Sequence, residues 1–83
     1  MGDKQYQWVV FNEHNPIDPK LKTKIWSCFA KTGPFLGSVR WWSHWRRYCF
    51  FPQPETLFDA NCLWDIADWC ASQTTEQKQK KVK

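Results

Sequence analysis

The feature that most constrains this chain is a change of rhythm at Asp59. Before it, bulky side chains come in short runs that alternate along the backbone, separated by clusters of Pro, Gly and Asn. After it, apolar residues return every third or fourth position. A period of two belongs to a half-buried strand, and a period near 3.6 to an amphipathic helix. A single switch from the first to the second predicts an α+β fold. The expected architecture is a three- to four-stranded antiparallel β-meander packed on one C-terminal α-helix.

Four runs rich in aromatic and β-branched residues predict strands at 5–11, 25–30, 36–42 and 45–51. Asn12 to Lys24 reads as a loop, because Pro16 and Pro19 are poorly placed in any central strand. Lys31-Thr32-Gly33-Pro34-Phe35 reads as a turn, with Gly33 free to take a positive φ. Ser43-His44 is a short connection, so 36–42 and 45–51 are expected to pair as a hairpin that Pro52 ends. Asp59 is a good helix N-cap, and the helix is expected over 59–73. With Ile66 at the centre of its apolar face, Cys62, Leu63, Trp69 and Cys70 fall within about 60° at 100° per residue.

With 83 residues the chain allows one domain, expected over 1–76. Its core is made affordable by seven Trp, six Phe and two Tyr, since each buried aromatic removes roughly 150–250 Å² from water. A thin two-layer domain does not bury that many rings, so some are expected on a contact surface. The net charge of +4 comes from residues 77–83, which hold four Lys and no acid, while residues 1–76 balance eight basic against eight acidic side chains. The end is therefore read as a basic, disordered, Lys-rich tail on a neutral body, which weakens any inference from charge to nucleic acid.

Cys28, Cys49, Cys62 and Cys70 are spaced 21, 13 and 8 apart. That is no zinc pattern, and each lies in an apolar run where a free thiol acts as a small hydrophobe. No metal and no cofactor is expected. The polar start and the absence of a long apolar stretch give no secretory or membrane signal, so the expected setting is the cytoplasm with reduced thiols. Catalysis is not expected either. No glycine-rich phosphate loop is present, His14 and His44 lie in connections, and Asp65 and Asp68 read as a solvated helix side.

Alternation sorts the hairpin into two faces. Val39, Trp41, Tyr48 and Phe50 are assigned to the side the helix covers, leaving Arg40, Trp42, Arg47, Cys49 and Phe51 on the other. With a two-residue turn Arg40 would face Arg47, an unfavourable pair of like charges. Arg among exposed aromatics is the composition of protein-interface hot spots and of single-strand nucleic-acid platforms. The plainer reading is that the Arg stems cover the back of a thin sheet. Trp64 lies about 160° from Ile66 at 100° per residue, on the polar side of the helix, unless it packs on the N-terminal segment. The candidate partner-binding residues are thus Arg40, Trp42, Arg47, Phe51 and Trp64. A protein partner is the first expectation. A single-stranded nucleic acid, with the Lys tail contributing, and self-association into a homodimer are the alternatives.

The run from Leu36-Gly37 through Val39-Arg40-Trp41-Trp42 and Trp45-Arg46-Arg47-Tyr48 to Pro52, with Thr56, Phe58 and Cys62-Leu63 to Ile66, resembles a group of very small phage and prophage proteins. The likeness spans about residues 25–73, and its Trp-Arg-x-Tyr and Cys-Leu-x-x-Ile parts are its most specific. Trp42 stands where the group more often has Tyr, and Trp69 where it more often has Phe; the 12–24 loop and the tail depart from it. The resemblance implies a phage origin, hence the host cytoplasm, and a compact sheet-then-helix layout. It implies no activity.

Overall fold

A computed structural model describes residues 6–14 and 23–80. Four strands, β1 (Val9–His14), β2 (Ile25–Ala30), β3 (Phe35–Trp42) and β4 (Arg47–Pro52), are followed by one helix, α1 (Ala60–Lys80). The strands form one antiparallel sheet in the order β1-β2-β3-β4. This is the expected meander with its C-terminal helix. Among the described residues no helix is long and apolar enough to cross a membrane.

The helix covers one face of the sheet. Beneath it lie Val9 and Phe11 of β1, Trp26 and Cys28 of β2, Leu36 and Val39 of β3, and Tyr48 and Phe50 of β4. Ile66 and Trp69 descend from the helix into this layer. The Tyr48 ring stands edge-on between Trp26 and Trp41, centroids 5.2 Å from each. Its hydroxyl accepts a hydrogen bond from the Lys24 amide, 3.0 Å away. The four residues assigned to the covered face, Val39, Trp41, Tyr48 and Phe50, therefore do point to the helix.

A bulge explains a residue that alternation alone misplaces. Cys28 pairs with Gly37 but Phe29 pairs with Phe35, so Leu36 is an extra residue on β3. The extra residue turns Leu36 into the core while Phe35 stays on the opposite face. Gly37 makes the bulge feasible. Its φ is 155°, and a Cβ there would strike the Phe51 carbonyl oxygen and lie 2.8 Å from the Phe50 ring. Gly33 takes φ 123° in the preceding turn, as that turn requires.

Several boundaries differ from expectation. β1 runs over 9–14 rather than 5–11, because Asn12, Glu13 and His14 pair with Ser27, Trp26 and Ile25. Cross-strand hydrogen bonding outweighs their weak strand propensity. The rest of the expected 12–24 loop, residues 15–22, lies outside the described residues. β4 begins at Arg47, not at residue 45. The β3–β4 connection is a four-residue turn, Ser43 to Arg46, closed by the Arg46 amide on the Trp42 carbonyl at 2.8 Å. Arg46 takes φ 57° to turn the chain. Arg47 thus pairs with Trp42, and Arg40 with Cys49; the opposed Arg40–Arg47 pair does not form.

The helix passes the expected end at Gln73 and continues to Lys80. Gln77–Lys80, expected in the disordered tail, are thus helical, and Gln77 is buried. Gln77 lies about 20° from Ile66 at 100° per residue, so the inward stripe extends through it. Residues 81–83 are outside the described part.

The stripe itself is shifted. Leu63, expected to hold the helix down, is 50% exposed. The first half of α1 turns toward the N-terminal segment, where Tyr6 donates to Asp68 at 2.7 Å and the Trp8 amide to Asp65 at 3.2 Å. The second half turns toward β4, where Thr74 accepts from the Tyr48 amide at 2.9 Å. An oblique crossing leaves Leu63 on the outer flank. The Thr74 contact also occupies a backbone donor on the edge strand, which blunts edge pairing.

Candidate interface on the open sheet face

The face away from α1 carries Val10, Asn12 and His14 of β1, Ile25, Ser27 and Phe29 of β2, Phe35, Ser38, Arg40 and Trp42 of β3, and Arg47, Cys49 and Phe51 of β4. Their placement follows from strand alternation and register. Two clusters of rings occupy it. At one end Phe29 and Phe35 tilt against each other with centroids 5.3 Å apart. At the other, Trp42 stands edge-on to Phe51 at 6.1 Å and stacks on His44 at 5.2 Å. Between them His14 shares a hydrogen bond with Ser27.

Arg40 holds its guanidinium 4.5 Å from the centre of the Phe51 ring. This cation–π contact orders the side chain but uses none of its five N–H donors. Arg47 Nε donates 3.2 Å to the Trp45 carbonyl. Among the described residues no carboxylate lies within ion-pair reach of Arg40, Arg46 or Arg47. The described acids sit elsewhere: Glu13 beside Lys24, Glu55 in the β4–α1 loop, and Asp59, Asp65, Asp68 and Glu76 at the start of or along the helix. Among the described residues the open face is therefore cationic and aromatic, without a neutralising carboxylate.

Four of the five candidate residues, Arg40, Trp42, Arg47 and Phe51, come together on this face. Trp64 does not join them. It is 72% exposed on the outer side of the helix, on the opposite layer, and does not pack inward. Val10 and Phe35 belong to the open face and escaped the sequence reading. Val10 lies inside the expected strand 5–11, whose faces the sequence alone does not sort, and Phe35, expected in the turn, is the first residue of β3. Trp45, assigned to a strand, is an exposed turn residue beside Arg46.

The Cys28 and Cys70 thiols are poorly suited to nucleophilic chemistry. Burial, reinforced by Cys62 and Cys70, pushes the Cys28 thiol up to about 12. Burial, with a smaller effect of Cys49, pushes Cys70 up to about 12. Nucleophilic cysteines need the opposite shift. All four cysteines are free, and the described residues hold no metal-ligand cluster.

No protein-family model matches the chain, and no curated protein or solved structure does.

Proposed function

We propose that this chain is a non-enzymatic binding module that docks a protein partner on its open sheet face. The observation that carries this reading is the surface formed by Arg40, Trp42, Arg47 and Phe51, free of carboxylates among the described residues, with exposed Val10 and Phe35 on the same side. Arg and large aromatic side chains are the residues most enriched in binding hot spots. They stand on paired strands, so little ordering entropy opposes binding. The upward shifts of the Cys28 and Cys70 thiols disfavour a nucleophilic role for those two residues. In this reading the chain is a phage-encoded accessory protein working in the host cytoplasm, an expectation that rests on the sequence resemblance alone.

Single-stranded nucleic acid is the second reading, favoured by the same Arg and ring composition. Two observations weigh against it. Arg40 already occupies the Phe51 ring, and among the described strand residues the arginines of the face gather at one end instead of tracking its length. The test is affinity capture from lysate with wild type beside the Arg40→Ala/Trp42→Ala/Arg47→Ala variant. The expected result is a stoichiometric protein retained by wild type and lost by the variant. Capture that is unchanged by the variant contradicts the reading.

A further inference from the structure

Along β3 the open face changes character from one end to the other. Near the β2–β3 turn it is apolar: Phe35 leans on Phe29, and Val10 pairs with Phe29 from β1. The middle row is small and polar on β1 to β3, with Asn12, Ser27 and Ser38, and ends on β4 at Phe51, the ring beneath the Arg40 guanidinium. The far end holds Arg40, Trp42 and Arg47, with Arg46 in the adjoining turn. Phe35 and Trp42 are seven positions apart, six once the bulged residue is discounted, or about 20 Å along a strand at roughly 3.3 Å per residue. About six residues of an extended peptide span that length.

We infer, resting on the reading above, that the face takes a peptide segment of a partner protein lying along β3, apolar where it meets Val10 and Phe35 and acidic where it meets Arg40 and Arg47. Charge complementarity fixes the acidic end. Among the described residues the guanidinium groups have no carboxylate partner, and they present donors in the fork that a carboxylate matches. The exposed apolar end fixes the other, because a charged partner group placed there is desolvated without compensation. A nucleic acid carries phosphate at every step and suits a face cationic throughout. Among the described strand residues of the open face, the apolar end holds Val10, Phe29 and Phe35 and no cation.

The experiment is selection from a random dodecapeptide display library against the full chain. A synthetic version of the best binder is then titrated by tryptophan fluorescence. Enriched peptides are expected to carry paired Asp or Glu at one end and bulky apolar residues several positions away. Binding is expected to weaken at least about tenfold in Arg40→Glu/Arg47→Glu and in Phe35→Glu, and to be unchanged in Trp64→Glu. Circular dichroism confirms that each variant is folded.

Selected peptides that are basic or wholly apolar, yet lose binding in the open-face variants, overturn the acidic partner and leave the open-face reading standing. Peptides that lose binding only in Trp64→Glu overturn the open-face reading itself. An oligothymidylate that binds more tightly than the best peptide, and does so through Arg40 and Arg47, replaces the peptide with a nucleic acid. Failure to enrich any sequence also overturns the inference.

Discussion

The indole of Trp69 lies parallel to the ring of Phe11, centroids 4.6 Å apart and planes 6° apart, so the helix is joined to the edge strand β1 by a stacked aromatic pair. Tyr6 and Trp26 meet the same indole edge-on, at 6.0 and 5.4 Å. One helical residue thus ties together the N-terminal segment, β1 and β2. Its Nε1–H is buried with no hydrogen-bond partner among the described residues.

Two substitutions at Trp69 separate packing from that unpaired donor. Trp69→Ala is expected to destabilise by about 3–5 kcal/mol, as for other buried aromatics. Trp69→Phe keeps a ring against Phe11 and removes the unpaired N–H, which offsets part of the lost area; about 2 kcal/mol or less is expected. Urea unfolding followed by circular dichroism measures both. Equal losses would show that the stack contributes nothing specific.

Ile66 and Trp64 sit on opposite sides of one helix, buried and exposed respectively. Ile66→Ala is expected to cost about 2–5 kcal/mol. Trp64→Ala is expected to stay within about 0.5 kcal/mol, the range for surface changes away from special features. The same unfolding measurement decides, and comparable losses would mean the helix is rotated from its described setting.

Of the two described glycines, Gly37 leaves no room for a side chain. A methyl group there combines a disfavoured φ with collisions against Phe51 and Phe50. Gly37→Ala is expected to destabilise by about 2–4 kcal/mol through strain and overpacking. A melting temperature equal to wild type would show that the bulge does not hold Leu36 in the core as described.

Asp59 caps α1, its Oδ1 accepting from the Cys62 amide at 2.9 Å. That backbone hydrogen bond holds its carboxyl below the ordinary value of 3.8. The folded state therefore favours the ionised form. The stabilisation is present above pH 3.8 and is lost as pH falls through the lower, folded-state value. Asp59→Asn keeps an acceptor that does not titrate. Its melting temperature is expected to fall less than that of wild type across this acid range, while Asp59→Ala melts lower at neutral pH. Parallel acid profiles for wild type and Asp59→Asn would remove the cap from the pH response.

Much of this fold was legible because hairpin alternation survives changes in turn length. A two-residue or a four-residue connection places Val39, Trp41, Tyr48 and Phe50 on one side, so the covered and open faces were assignable before the turn was known. Parity fails where a residue is inserted, which is why alternation does not place Leu36, and Phe35 reads as turn because it directly follows Gly33-Pro34. The polar pair partners Asn12 and His14 read as loop because their strand character comes from β2 and not from their own side chains. The last turns of α1 were hidden by their polarity, since Thr74 and Gln77 face inward through a hydrogen bond and burial, not through apolar character. The exposure of Trp64 could be read from helical spacing; its separation from Arg40 and Trp42 required knowing which face the helix covers.

Site-specific photo-crosslinking tests the open-face proposal most directly. A benzophenone side chain is placed at Phe35, at Trp42 or at Trp64, and each folded variant is irradiated in lysate. Adducts to one common protein from positions 35 and 42, and none from 64, are the expected result. Adducts from 64 alone would contradict it and move recognition to the helix side.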